Sequence, residues 1–133
     1  QGGGALLAVL GGQIAATVAR ARETGGAAAV HGQQLDAVWQ RLAAVTATMF
    51  APGDPETALA NSVIYLEAFG HLVIAWLWLE QELAAAGRDG DFYDGKRAAA
   101  RYFFSYELPR IGPQLDLLES LDRTIIEMRD AWF

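Results

Sequence analysis

Two histidines, His31 and His71, and the carboxylates Glu67, Glu80 and Glu82 are the side chains here whose types could serve proton transfer or metal binding. Glu67 and His71 stand four residues apart, one helical turn, which could in principle make an acid/base couple. Catalysis also needs a nucleophile or an anion-binding loop converging on the pair. The chain contains no GxGxxG, no P-loop, no HExxH and no cysteine. The two histidines fall in different predicted helices without a carboxylate pattern that would make either a ligand. His31 is therefore expected to face solvent near a helix start and His71 to be packed or at an interface, and no catalytic, cofactor-binding or metal residue is assigned. Lys96, Arg97 and Arg101 form the one cationic cluster. They could meet a phosphate or an acidic surface, but internal pairing, Asp94 with Arg97 and Arg101 with a carboxylate such as Glu67, is the commoner fate of such a patch. The aromatic set Phe92, Tyr93, Tyr102, Phe103, Phe104 and Tyr106 surrounds a helix axis rather than lining one side, so most of it is expected in the core and not on a flat stacking face.

The elements that must position these groups are all helical. Leu6, Leu10, Ile14 and Val18 recur every fourth residue and predict a first helix that stops at Gly25-Gly26. Leu35, Val38, Leu42, Val45 and Met49 give a second helix with one apolar seam, ending before Ala51-Pro52-Gly53. Asp54-Pro55-Glu56 opens a third, with an N-cap acid, a first-turn proline and a glutamate at the positive end of the dipole. Gly87-Arg88-Asp89-Gly90 turns the chain into a fourth helix near Asp91. Pro109 and Pro113 should kink or break that helix around Leu108 to Gly112. Leu115, Leu117, Leu118 and Leu121 predict a further short helix. The expected fold is all-α, an antiparallel four-helix bundle with a Pro-broken fourth helix and a short C-terminal helix, residues 1–133 making a single helical domain.

The third helix has three stripes. Leu59, Val63, Leu66, Gly70, Val73 and Leu77 form one, and Tyr65, Phe69, Leu72, Trp76, Leu79 and Leu83 another. Ile64, Glu67, His71, Ala75, Trp78 and Glu82 form the one that carries charge. That mixture of apolar and charged residues nominates Ile64, Glu67, His71, Trp78 and Glu82 as interface candidates. The apolar run Ala68 to Leu79 contains His71 and is closed by Glu67 and Glu80, short of the ~20 residues a bilayer requires, so a buried or docking helix is expected rather than a membrane span.

A formal charge of −6 and a calculated pI of about 4.7 oppose binding to nucleic acid or anionic lipid. The absence of cysteine among 133 residues fits a reducing, cytoplasmic compartment. The Gln-Gly-Gly-Gly start has neither the basic end nor the cleavage site of a signal peptide, and the chain reads as a piece of something longer.

Three phrases, YLEAFGHLVIAWLWLEQ at Tyr65 to Gln81, FYDGKRAAARYFFSYELP at Phe92 to Pro109 and GPQLDLLESLDRT at Gly112 to Thr124, resemble the C-terminal extension of a long subgroup of acyl-CoA dehydrogenases, the one that includes bacterial fatty-acyl and methylmercaptopropionyl-CoA dehydrogenases. The resemblance runs from about Pro55 to the end; the first two helices match in helical character and composition only. It implies a parent flavoenzyme that oxidises the Cα–Cβ bond of an acyl-CoA with FAD and a glutamate base, both in upstream domains. It further implies that this segment is a non-catalytic helical domain packed on the dehydrogenase core or on a neighbouring subunit of a homo-oligomer. The alternative is a free-standing helical module that binds an apolar ligand or a partner helix.

Overall fold

The computed structural model describes residues 2–51 and 53–133. Gln1 in the predicted start and Pro52 in the predicted second break lie outside the described residues. Among the described residues there is no strand, and the fold is all-α.

Helices α1 (Gly2–Thr24) and α2 (Gly26–Met49) are joined by Gly25 alone. Gly25 and Gly26 take φ of 76° and 57°, a region glycine enters without steric cost, and the Gly25 amide donates to the Ala21 carbonyl at 3.1 Å. The predicted stop is therefore correct. The two helices then run antiparallel, with Gly32 of α2 against Ala21 and Gly11 of α1 against the Trp39 ring. A Cβ at Gly32 would lie 2.9 Å from that of Ala21, so glycine sets this close approach.

Asp54 caps α3 (Pro55–Ala60) as expected: its carboxylate accepts from the Thr57 amide at 3.2 Å and the Thr57 hydroxyl at 2.7 Å. The predicted third helix is interrupted at Asn61, whose side-chain amide donates to the Asp122 carbonyl at 2.9 Å, and resumes as α4 (Ser62–Ala85). Asp91 is the first residue of α5 (Asp91–Tyr102), not its cap; Gly90, with φ of 113°, holds the cap position. The proline break begins earlier than expected, with a π-helical turn at Phe103–Glu107 and a 3-10 turn at Leu108–Arg110 ahead of α6 (Ile111–Glu119). Pro109 brings no amide and its ring crowds the Ser105 carbonyl four residues back, so the adjustment falls on the turn before the proline. Pro113 lies in the first turn of α6, where no amide is needed. A short α7 (Thr124–Glu127) and a closing 3-10 turn, Asp130–Trp132, complete the chain.

The core joins Ile14 and Val18 of α1, Leu35, Trp39, Leu42, Val45 and Met49 of α2, Leu72 and Leu79 of α4, and Phe104, Leu108, Ile111, Leu115 and Leu118 of the C-terminal run. The α2 seam is as read, with Val38 only partly buried. Leu6 is exposed instead of core, lining an open cleft between α1, α2 and α4. Of the six aromatics expected mostly inside, only Phe104 is fully buried, while Phe92, Tyr102 and Tyr106 face solvent. α5 has its buried contact at Ala100, a side too narrow to cover rings placed all round the axis.

α4 is oriented differently from the sequence reading. Ala75 and Glu82 of the charged stripe are buried, and the outward face carries Val63, Leu66, Ile74 and Leu77, with exposed Glu67 and Gln81 on the same side. By length and composition α1 from Gly4 to Thr24 and α4 are each long and apolar enough to cross a membrane, so the expectation of too short a run is corrected for α4. Within the fold, α4 instead ties Glu80 and Glu82 to α1 and α2.

Candidate functional site

The titratable groups nominated from the sequence resolve into separate interhelical ties. Glu82, 6% exposed, lies 2.7 Å from Nδ1 of His31, which is equally buried and stacks on Phe104 with ring centroids 4.6 Å apart. This corrects two expectations: His31 does not face solvent, and Glu82 is not available at a surface. A buried carboxylate next to an apolar helix pair needs such a partner. The signal was present, since His31 precedes Leu35 by four residues and Glu82 follows Leu79 by three, each in step with a core stripe.

Glu67 and His71 do not form an acid/base couple. The Nδ1–H of His71 donates to the backbone carbonyl of Glu67 at 3.2 Å, and its Nε2 stands 3.6 Å from Glu107. The Glu67 carboxylate accepts from Gln114 of α6 at 3.0 Å, not from Arg101. Ile64 and Trp78 are half-buried against the core, and Lys96 sits 5.9 Å from the Trp78 ring and 5.3 Å from that of Phe92. Trp78 thus meets α5 and His71 the π-helical turn, while Ile64 and Glu67 lie nearer the amino end of the same flank of α4.

Arg97 pairs with Asp94 as read from their spacing, and its guanidinium also donates to the carbonyls of Ala85 at 2.7 Å and Arg88 at 3.0 Å. It closes the carboxyl end of α4, where unpaired carbonyls and the negative dipole end favour a cation. Lys96, Arg97 and Arg101 therefore do not converge on one point.

Two further ties were not read from the sequence. Glu80 accepts from the Thr17 hydroxyl at 2.6 Å and pairs with Arg20, while Trp76 Nε1 donates to Thr17 at 2.8 Å. Arg41 of α2 bridges Glu119, at 2.6 Å, and Asp116 of α6, and these hydrogen bonds, Glu119 foremost, raise its already high pKa further. Their partners lie far apart in sequence and only the packed fold joins them.

An open apolar cleft of about 1100 Å³ lies between the amino-terminal half of α1, α2 and α4, walled by Leu7, Leu10, Trp39, Phe50, Tyr65 and Phe69. Its polar feature is the Thr46–Tyr65 hydroxyl pair at 2.7 Å. Among the described residues, no arginine or lysine lines it. A dinucleotide cofactor carries two phosphates and needs a cationic or amide-rich cradle, so these residues do not fit FAD. Among the described residues, no group of three or more metal-ligating side chains is gathered.

What the geometry defines is a helical unit whose charged groups fasten helix to helix. Over residues 10–129 the chain matches the family described as acetyl-CoA dehydrogenase C-terminal like, and it belongs to that family. Its place is with the C-terminal domains of acyl-CoA dehydrogenases. It is 35% identical over 103 residues to the broad-specificity linear acyl-CoA dehydrogenase FadE5 of Mycobacterium tuberculosis (strain ATCC 25618 / H37Rv), a match covering 68% of this chain and 17% of that protein. The chain thus spans less than a fifth of that relative's length. No solved structure matches it.

Proposed function

We propose that residues 1–133 are a single, non-catalytic helical domain of a larger FAD-dependent acyl-CoA dehydrogenase, an oxidoreductase that introduces a Cα–Cβ double bond into acyl-CoA in fatty-acid oxidation. The observation that carries the reading is the fate of the chemically able side chains. His31, Glu80, Glu82, Arg41 and Arg97 are each held by a neighbouring element or helix end, leaving no convergent acid, base and anion cradle among the described residues. The family membership supports the flavin in the parent, bound by domains outside this chain. The domain's partners in this reading are the upstream dehydrogenase core and further subunits of a homo-oligomer. The cysteine-free composition supports a cytoplasmic setting.

The test is direct. Purified alone, the chain should carry no yellow flavin and reduce no artificial electron acceptor when given acyl-CoA. Stoichiometric flavin, or acyl-CoA-dependent reduction, would sink the proposal. A second reading, a module for an apolar ligand, is favoured by the α1–α2–α4 cleft. It would prevail if a fatty acid quenched Trp39 fluorescence saturably in the parent protein while deletion of the domain left dehydrogenation intact.

A further inference from the structure

Trp39 carries a hydrogen-bond donor that the fold leaves unused. The side chain is only 9% exposed, yet its Nε1–H donates to no acceptor among the described residues. A buried indole N–H usually finds a partner. Every described side-chain polar atom wholly shut off from solvent is hydrogen-bonded, so Nε1 keeps an open edge. That edge lies beside Gly11 of α1, where an added Cβ would stand 3.4 Å from Nε1, and both residues wall the α1–α2–α4 cleft. Glycine here keeps the approach to the nitrogen clear.

The cleft's other polar spot stands two turns further along α2, about 10 Å away. The Thr46 hydroxyl gives its one proton to the Leu42 carbonyl at 2.8 Å, so within the 2.7 Å hydroxyl pair it is Tyr65 that donates to Thr46. The Tyr65 oxygen is left with lone pairs that can accept and no proton to give. Around these two spots the wall is apolar, made by Leu7, Leu10, Ala43 and Phe69. A volume of about 1100 Å³ is ample for a small-molecule ligand, for which ~300–1,000 Å³ is usual. With no arginine or lysine among the described lining residues, a carboxylate or phosphate drawn inside would lose its hydration without gaining a counter-charge. An uncharged hydroxyl fits better, because it can accept from Trp39 or donate to Tyr65 and costs far less to desolvate.

We propose that the cleft binds an uncharged, single-chain lipid, its alkyl chain along the α1–α2 wall and its neutral oxygen accepting the Trp39 N–H. The inference is independent of the dehydrogenase reading and narrows the apolar-ligand one to a neutral head. The test is made on the full polypeptide that carries these residues, labelled with 5-fluorotryptophan, the Trp39 resonance being assigned by its loss in Trp39→Phe. Titration with 1-octanol should shift that resonance saturably. By calorimetry, octanoate at pH 8 should bind at least about tenfold more weakly than 1-octanol, as expected for a charge buried without a partner. Trp39→Phe, which keeps an aromatic ring and removes the donor, should weaken octanol binding by about fivefold, the worth of one hydrogen bond. Ala47→Trp, at an exposed wall position, should abolish binding with helicity by circular dichroism unchanged. Octanol that binds with the Trp39 resonance unmoved, or does not bind at all, would overturn the proposal. So would Trp39→Phe binding octanol as tightly as the parent. Equal affinity for octanoate would overturn the neutral head while leaving the broader apolar-ligand reading in place.

Discussion

The Glu82 carboxylate stays in the interior because His31 is 2.7 Å away and Phe104 backs the imidazole. Removing one member strands the other. Glu82→Leu alone is expected to cost about 1–3 kcal/mol by urea unfolding, the penalty for a buried polar group left without its partner. Adding His31→Phe, which keeps a ring against Phe104, should recover most of the loss; simple additivity of the two single changes would show that the pair is not coupled. Residue-level legibility followed distance along the chain. Asp94–Arg97 was readable because three residues on a helix fix the geometry. The bridge from Arg41 to Asp116 and Glu119 spans 75 and 78 positions, and no local pattern announces it.

Glycines separate two kinds of helix surface. Both Gly32 in α2 and Gly95 in α5 forgo about 1 kcal/mol of helix propensity relative to alanine. Gly95→Ala, with nothing within 4 Å of the new Cβ, should raise the melting temperature. Gly32→Ala should lower it despite the better propensity, because its Cβ meets that of Ala21 at 2.9 Å and α1 must move away. Thermal unfolding of both variants decides this, and an equal gain at the two sites would mean that α1 and α2 are not held at that distance. Helix ends with their own chemistry, Gly25-Gly26 and Asp54-Pro55, were legible. The π-helical turn at Phe103–Glu107 was not, since Pro109 acts backwards on a carbonyl four residues earlier, where the sequence still looks helical.

At the scale of the molecule, one clasp joins the middle of the chain to its end. Arg123, just before α7, donates to the Thr57 hydroxyl at 2.6 Å and to Asp54 at 3.3 Å. Hydrogen bonds from the Thr57 hydroxyl and amide, and then the Arg123 charge, hold the Asp54 carboxyl below the usual carboxylate range. A depressed folded pKa contributes stability that is complete above the unfolded value, about 3.9, and is lost as pH falls through the folded one. Asp54→Ala should therefore melt below the parent at neutral pH, and the gap should close in strong acid. A gap independent of pH would remove the carboxylate's charge from the account. What composition could not reveal is which side of α4 faces out. Every side of that helix is largely apolar, so the choice falls to the packing of its neighbours.

The single-residue join at Gly25 has a consequence in time. Helices of 23 and 24 residues that reverse direction over one glycine bring together groups only a short way along the chain, Ala21 and Gly32 among them. Such encounters lose little loop entropy and form early, whereas the clasp at Arg123 must close over 66 positions. The α1–α2 hairpin is thus the part of the chain able to assemble first, and α4 then has a ready surface on which to condense.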